Sequence, residues 1–321
     1  MQKAEGLQAL GLERRTLTWQ GQEVVYCQSE KAEESVSSDG RSLVFIHGFG
    51  ACKEHWRFNL PFFAQENNVY ALDLIGFGES SKPDSVLEGE TAKAESAWRY
   101  GINSWAEQVV ELVKSRAEGD VVLIGNSIGG VVASQAAAIM SQEESLKGRC
   151  KSLILIDCAQ RQIDDKRLSE QPPFRQASKP LLKQLVRQRW FTNGIYRLLA
   201  NRSIIKKVLK IAYPTGQNVD EDLVDYLFEP TTQENSMEAF RGFINLFDDL
   251  LAPDILAGLD VPTWLIWGEK DPWEPLDYAR QWLSIPCVKG IEIIREAGHC
   301  PHDECPEKVN QAIQSLIEAG Q

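Results

Sequence analysis

The chain contains 321 residues, of which 43% are hydrophobic and 25% are charged, a composition typical of a folded globular protein rather than a disordered one. Its length suits one large α/β core with an inserted subdomain. The formal net charge of −12 argues against DNA or RNA as a partner, because phosphate binding needs a basic surface.

The N-terminal region predicts a strand but no membrane-targeting segment. Residues 1–19 carry charges throughout, and no stretch of the chain approaches the ~20 apolar residues of a membrane span. We therefore expect neither a signal peptide nor a transmembrane span. Seven cysteines without paired spacing favour reduced thiols in the cytoplasm. The first predicted strand covers residues 22–26, and a polar turn follows at residues 31–40.

A second predicted strand, residues 43–46, leads into the glycine-flanked loop His47-Gly48-Phe49-Gly50. Glycine lets a backbone approach a substrate closely, so Gly48 and Gly50 suit a loop that binds through its main chain. We expect the N–H of Phe49 to be one donor of an oxyanion hole. His47 is expected to order this loop rather than to carry protons.

A strand, a polar loop and a helix are predicted after this loop. A strand at residues 69–72 ends at Asp73, which we interpret as a structural loop anchor. Residues 80–97 read as a polar, acidic loop. The segment Ser104-Trp105-Ala106-Glu107 matches a capping box, which predicts a helix that opens there and runs to about residue 116.

The central motif is a serine between glycines at a predicted strand-to-helix junction. Residues 121–124 form an apolar strand, and a helix is predicted from residue 128 to about 140. A serine offered on so sharp a turn is a nucleophile elbow, with the N–H of Ile128 as the second oxyanion donor. Ser127 alone could instead be a helix N-cap. The junction reads Gly125-Asn126-Ser127-Ile128-Gly129-Gly130.

The partners of Ser127 follow later in the chain. A strand at residues 263–267 leads into Asp271, our predicted triad acid, although Asp-Pro also opens ordinary turns. The alternative acid is Asp157, at the end of a strand at residues 153–156. A last strand at residues 291–294 precedes His299, the predicted base. The order Ser127, Asp271, His299 is the one that this type of site requires.

Between these strands, residues 161–250 predict a helical cap inserted into a core of residues 1–160 and 251–321. Apolar residues there recur at helical spacing, as in Leu181 and Leu185 or Ile204 and Val208. Residues 161–213 carry 13 basic and 3 acidic side chains, whereas residues 214–250 carry 1 basic and 9 acidic ones. The candidate substrate-pocket residues of the cap are Trp190, Phe191 and Tyr196.

The basic part of the cap has two interpretations. It could lie against an anionic membrane surface or cover an apolar ligand, or it could be an ordinary solvated helix face. Its candidate membrane-binding charges are Lys183, Arg187, Arg189, Lys206, Lys207 and Lys210.

A metal site is not predicted. The ligand types near the C-terminus suit zinc, but their spacing lacks a C-x-x-C pair, and Ser127 needs His299. We therefore expect no metal and no cofactor. Cys52 and Cys300 are interpreted as packing residues, with a thiol nucleophile as the less favoured alternative. The residues of the cluster are His299, Cys300, His302, Asp303 and Cys305.

With these parts placed, the chain resembles the α/β-hydrolase superfamily over nearly its whole length. The resemblance implies an α/β fold with a mostly parallel central sheet, helices on both faces and an inserted helical cap. The local sequence motifs are most similar to those of the chlorophyll dephytylase and pheophytinase group, in particular its cyanobacterial dephytylases. The segments that carry this likeness are residues 47–50, 55–57, 125–130, 267–275 and 298–304.

The resemblance implies a serine hydrolase that cleaves the phytyl ester of chlorophyll-type pigments, giving chlorophyllide or pheophorbide and phytol. Its triad maps onto Ser127, Asp271 and His299, and its place of action is the photosynthetic (thylakoid) membrane, reached from the cytoplasm. Two alternatives stay open: a generic carboxylesterase, lipase-like or C–C bond hydrolase, and a ligand-sensing protein with little turnover. Dehalogenase and epoxide-hydrolase chemistry is disfavoured, because those enzymes use an aspartate where this chain has Ser127.

Overall fold

The computed structural model describes residues 11–29, 41–91, 97–162 and 164–319, and one sheet forms its centre. The strands of this sheet are β1 (Leu12–Trp19), β2 (Gln22–Ser29), β3 (Ser42–Ile46), β4 (Asn68–Leu72), β5 (Val121–Asn126), β6 (Cys150–Ile156), β7 (Thr263–Gly268) and β8 (Val288–Ile294). Their order across the sheet is β1-β2-β4-β3-β5-β6-β7-β8. The first two strands pair antiparallel, and the pairs from β4 to β8 are parallel, which confirms the mostly parallel sheet.

Helices cover both faces of the sheet, as predicted. Successive strand side chains point to opposite faces, and both faces here are apolar. Phe45 packs on one face with Trp56 and Val309, while Val44 packs on the other with Val109. The core helices are α1 (Leu60–Phe63), α2 (Ile102–Ser115), α3 (Ile128–Gln142), α9 (Ala252–Leu256), α10 (Leu276–Gln281), α11 (Pro301–Glu304) and α12 (Pro306–Ala319).

Helices occupy the long connection between β6 and β7, where the cap is predicted. They are α4 (Pro173–Arg187), α5 (Arg189–Leu199), α6 (Arg202–Ala212), α7 (Glu221–Phe228) and α8 (Ser236–Ile244). The division into cap and core at residues 161 and 250 stays a prediction.

The predicted capping box is wrong. Helix α2 begins at Ile102, and the hydroxyl of Ser104 donates to the carbonyls of Arg99 and Gly101, at 3.0 Å each. The first helical N–H is instead bound by Asp249, whose Oδ2 lies 3.1 Å from the nitrogen of Ile102. A cap supplied from 147 residues away leaves no local pattern in the sequence.

Strand β1 was not predicted, because its charged residues at positions 13–15 hide the apolar alternation of an edge strand. The polar turn predicted at residues 31–40 lies outside the described residues, as do residues 92–96 of the predicted acidic loop. Within the rest of that loop, Ser85 forms a parallel bridge with Trp98, which lies just after the predicted end of the loop.

Candidate active site

Ser127 occupies a strained turn between the central strand β5 and helix α3. Its φ of 54° and ψ of −123° are rare for a residue with a side chain, and such a conformation costs about 1–3 kcal/mol. Backbone hydrogen bonds hold it: Ser127 N–H donates to Ile156, and its carbonyl accepts from Gly130 and Ala159. Ser127 occupies the N-cap position of α3, but its side chain makes no capping hydrogen bond, so capping does not account for a serine here.

The elbow is too tight for side chains at its flanking glycines. A Cβ on Gly125 would lie 2.2 Å from the carbonyl oxygen of Gly129, and one on Gly129 would lie 2.3 Å from that of Ile46. A Cβ on Gly130 would lie 2.7 Å from the sulfur of Cys158. Because Ile46 ends β3, glycine at position 129 also lets the elbow pack directly against the neighbouring strand.

The loop after β3 is ordered by its histidine. The ring of His47 accepts a hydrogen bond from the N–H of Leu74 (3.0 Å) and contacts the carbonyl of Gly48 (2.7 Å) through its other nitrogen. Burial lowers the pKa of His47, so the ring stays neutral and suits one donor and one acceptor contact. Gly50 completes the turn with a φ of 71°.

The loop that carries the first predicted oxyanion donor packs against the elbow that carries the second. A Cβ on Gly48 would approach the Cβ of Ser127 to 3.1 Å, which shows how close the loop and the elbow are. Within the described ranges, no protein acceptor binds the N–H of Phe49 or of Ile128. Both donors are therefore available, and their role as an oxyanion hole stays a prediction.

His299 pairs with Asp271 across the ends of β7 and β8. Nδ1 of His299 lies 2.8 Å from Oδ2 of Asp271, and both side chains are buried. The other oxygen, Oδ1, accepts the N–H groups of Trp273 (2.8 Å) and Glu274 (3.1 Å). Burial acts to raise the pKa of Asp271, but these hydrogen bonds and the charge of His299 outweigh it and lower the pKa. Asp271 is thus held as an anion facing the imidazole.

The alternative acid, Asp157, takes a different place. It ends β6, is fully buried, and accepts the N–H of Gly268 on Oδ1 at 2.9 Å. Burial, followed by the charge of Asp271, raises the pKa of Asp157 well above its usual range. Since the imidazole bonds to Asp271, this contact favours Asp271 over the alternative acid, Asp157.

One apolar cavity of about 570 Å³ connects these groups. Ser127, His299, Gly48 and Phe49 all line it. Its remaining wall is mostly side chains of the helices between β6 and β7. These include Leu199, Ile205, Val208, Leu209, Phe240 and Phe243. A cavity of this size and character suits a small apolar ligand or one arm of a larger one.

Two aromatic contacts join the cavity wall to the catalytic edge. Phe49 stacks on Phe243 of α8, with ring centroids 3.8 Å apart and planes 18° apart. Trp273 meets the ring of His299 edge to face at 4.8 Å. Sequence reasoning missed Phe243 and its neighbour Phe240, whose spacing of three residues on a helix was the available signal.

Glu274 is the carboxyl group that lines this cavity. It accepts the N–H of Gln160 at 2.9 Å, and burial raises the pKa of Glu274 to about 8. The group is therefore neutral at pH 7. Sequence reasoning did not single it out, because nothing in the sequence marks an acidic residue that the fold will bury.

The three predicted pocket residues of the cap separate in the structure. Tyr196 lines the cavity, and its hydroxyl donates to the carbonyl of Thr231 at 3.2 Å. Trp190 and Phe191 lie outside the cavity and pack on each other, with Trp190 69% exposed. Sequence spacing placed all three on helices but could not tell which face met the core.

The C-terminal cluster of potential ligands is dispersed among other partners. His302 packs against the rings of His55 and Trp56, while Asp303 binds the guanidinium of Arg57 at 2.8 Å. Burial raises the pKa of the Cys300 thiol well above its usual range, so this thiol is a weak nucleophile. In the part of the chain that the structure describes, no three such groups are placed to hold a metal ion.

The loop that carries His299 is fastened to the end of α6. The N–H of His299 donates to the carbonyl of Ala212 at 2.9 Å, and a Cβ on Gly298 would lie 2.2 Å from the same oxygen. Arg57 adds a second tie, because it binds both Asp303 and Asp220. The cavity wall and the imidazole are thus positioned by one set of contacts.

Comparisons with known proteins agree with this fold. Residues 43–312 match the profile of the alpha/beta hydrolase family. Over 286 residues the chain is 23% identical to the uncharacterized hydrolase YugF of Bacillus subtilis, covering 89% of this chain and 93% of that protein. Over 304 residues it is 26% identical to the chloroplastic pheophytinase of Arabidopsis thaliana, covering 87% of this chain and 62% of that protein, less than two thirds. The epoxide hydrolase CorEH is similar in structure, with a TM-score of 0.72, 18% identity and coverage of 97% and 100%.

Proposed function

Because this chain belongs to the alpha/beta hydrolase family, we propose that it hydrolyses a carboxylic ester through a serine nucleophile, Ser127. The observation that carries this proposal is that Ser127, His299 and the Phe49 loop meet in one apolar cavity. The hydrogen bond between His299 and Asp271 supplies the remaining part of the proposed triad.

In the proposed reaction, Ser127 Oγ attacks the ester carbonyl while His299 accepts the proton of the serine hydroxyl. The carbonyl oxygen becomes an anion that the N–H groups of Phe49 and Ile128 stabilise. The ester C–O bond then breaks, and the imidazolium gives its proton to the departing alcohol. Water attacks the acyl-serine by the same route in reverse, which releases the acid and restores Ser127.

As substrate we propose the phytyl ester of a chlorophyll-type pigment. Three observations support this choice: the likeness of the local motifs, the pheophytinase among the relatives, and the apolar cavity wall. A long isoprenoid alcohol needs such a wall, because burial of its methylenes is the main source of its binding energy. Neutral Glu274 leaves the cavity without a buried charge at pH 7.

We also propose that the cap contacts the photosynthetic membrane from the cytoplasm. Several charges assigned to that role are used internally: Lys183 pairs with Asp165, Arg189 with Glu238, and Lys206 with Glu221. Arg187 donates to the carbonyl of Glu88. The remaining charges, Lys207 and Lys210, lie exposed on α6 beside Val208 and Ile211, which are 42% and 56% exposed. None of the described helices is long and apolar enough to cross a bilayer.

The membrane proposal is tested with vesicles of anionic lipid. Replacing Lys207 and Lys210 by glutamine should weaken partitioning in low salt, because each basic group near an anionic surface contributes about 1 kcal/mol. Lys183→Gln is the matched control, since its charge already pairs within the protein. Equal partitioning of the double variant and the parent protein would remove the proposal.

The substrate proposal is tested by incubating the purified protein with chlorophyll a, pheophytin a and a short nitrophenyl ester. The expected result is free phytol and dephytylated pigment, with the Ser127→Ala variant as the inactive control. Release from the short ester alone would leave a generic carboxylesterase. A single burst of product without turnover would favour a ligand sensor instead.

A further inference from the structure

Asp157 is a buried carboxyl group that the proposed reaction does not use. It lies at the end of β6 with a φ of 41°, and its backbone N–H donates to Ile266 of β7 at 2.9 Å. One side-chain oxygen, Oδ1, accepts the N–H of Gly268. The other, Oδ2, is buried and has no donor within hydrogen-bond distance.

In the described part of the chain, the ionisable groups that interact with Asp157 are carboxyl groups and thiols. They are the carboxyl groups of Asp271 and Glu274 and the thiols of Cys158 and Cys300. Among the described residues, no Lys, Arg or His is paired with it. A carboxylate left there would be a buried charge beside a second one, a costly arrangement unless one of the two holds a proton.

Asp271 is the group that stays ionised. It receives the N–H groups of Trp273 and Glu274 on one oxygen and the imidazole of His299 on the other. A carboxylate offers about four acceptor positions, so one remains for a further donor. Asp157 faces Asp271. Burial and then the interaction with Asp271 raise the pKa of Asp157, and the interaction with Asp157 is among those that lower the pKa of Asp271 against the effect of burial.

We propose that Asp157 is a positioning residue that keeps its proton on Oδ2 at neutral pH and donates it to the carboxylate of Asp271. The two carboxyl groups and the imidazole then form one chain of hydrogen bonds across the ends of β6, β7 and β8. Asp157 fixes the orientation of Asp271, and Asp271 in turn fixes that of His299. This role rests on the proposed function.

Substitutions at position 157 distinguish a neutral donor from an anion. Asp157→Asn keeps an acceptor for Gly268 and an N–H donor for Asp271, so kcat/KM should stay within about threefold of the parent enzyme. Asp157→Leu removes the donor, and misplacement of Asp271 should lower kcat/KM by up to about 100-fold. Thermal unfolding of both variants shows whether each is folded before its kinetics are compared.

The pH dependence of kcat/KM shows whether Asp157 is a neutral donor or an anion. A hydrogen bond from a neutral donor makes the carboxylate of Asp271 less basic. Loss of this donor in Asp157→Leu should therefore move the acid limb of the kcat/KM profile to higher pH. Asp157→Asn keeps a donor and should leave that limb in place. If Asp157 were an anion, both variants would lose a negative charge and the limb would move to lower pH in each. Such a downward shift, or parent-like kinetics of Asp157→Leu, overturns the proposal.

Infrared spectroscopy tests the proton without any substrate. At pH 7, the infrared spectrum of the parent protein minus that of the Asp157→Asn variant should show the carbonyl stretch of a buried protonated carboxylic acid. The Glu274→Gln variant identifies the separate band of Glu274. Absence of a band assigned to Asp157 would refute the proton, whatever the enzyme hydrolyses. Failure of the parent enzyme to hydrolyse any ester, with the band present, would refute the proposed function only.

Discussion

The core and the segment between β6 and β7 place their functional residues in different ways. In the core, Ser127 follows β5, while Asp271 and His299 follow the adjacent parallel strands β7 and β8, and backbone hydrogen bonds fix each of them. The intervening helices contribute apolar side chains instead. These include Leu199 and Val208, which line the cavity although they are 41% and 42% exposed.

This contrast separates the residues that carry the proposed chemistry from those that would select the substrate. Strand ends in one sheet are held a few ångströms apart with little freedom, which suits groups that must exchange a proton. Helix faces can be varied in side chain without disturbing the sheet, which suits recognition of the substrate. Substitutions in the core should therefore lower kcat, and substitutions in the cavity wall should change KM.

The largest expected effect is at the nucleophile. Ser127→Ala should lower kcat for every ester by about 10⁶-fold while KM changes little, because the acyl-serine can no longer form. The measurement is steady-state hydrolysis of a short nitrophenyl ester, with unfolding temperature as the control for folding. Turnover close to that of the parent enzyme would contradict the role of Ser127.

The next effect is at the acid. Asp271→Asn should lower kcat by about 10⁴-fold, because an amide in contact with Nδ1 no longer selects the imidazole tautomer that accepts the serine proton. The matched control is Asp157→Asn, which changes a carboxyl to an amide on the next strand of the same sheet. Equal loss in the two variants would show that the sheet edge is sensitive to any such change.

Phe243→Ala tests the cavity wall. Loss of its stacking on Phe49 removes buried apolar area, so KM for a long-chain or phytyl ester should rise about 10-fold with kcat largely kept. Trp190→Ala is the control, because this exposed ring lies outside the cavity. A fall in kcat without a change in KM would place Phe243 with the catalytic groups instead.

The smallest effect is a pH dependence of binding. Because the pKa of Glu274 is raised to about 8, this group is neutral below that pH and becomes charged above it. If only the neutral form accepts an apolar ester, KM should rise about fourfold between pH 7 and pH 8.5. Glu274→Gln should abolish this rise, and an unchanged rise in that variant would assign it to another group.

The sequence predicted the parts of the site that depend on local backbone geometry. The glycines around Ser127 are required because a Cβ at position 125 or 129 would collide with backbone atoms, so they mark the elbow at any level of overall similarity. The alternation of strands and helices, and the order of Ser127, Asp271 and His299 along the chain, followed from the same local patterns.

Other features depended on contacts between distant residues. The bond of Asp157 to Gly268, the bond of Glu274 to Gln160 and the cap of α2 by Asp249 each join residues more than 100 positions apart. The exposure of Trp190 beside a buried Thr192 likewise could not be predicted from the sequence, because helical spacing does not show which face of the helix packs against the core.

The fold class, the turn that presents Ser127 and the chain order of the candidate triad could be predicted from the sequence, since each leaves a pattern within short segments. Packing of distant elements was needed to show which carboxyl group faces His299, which side chains form the cavity and which basic residues of the cap keep their charge for solvent. Those outcomes depend on burial and on neighbouring charges, and both arise only when the strands and helices pack together.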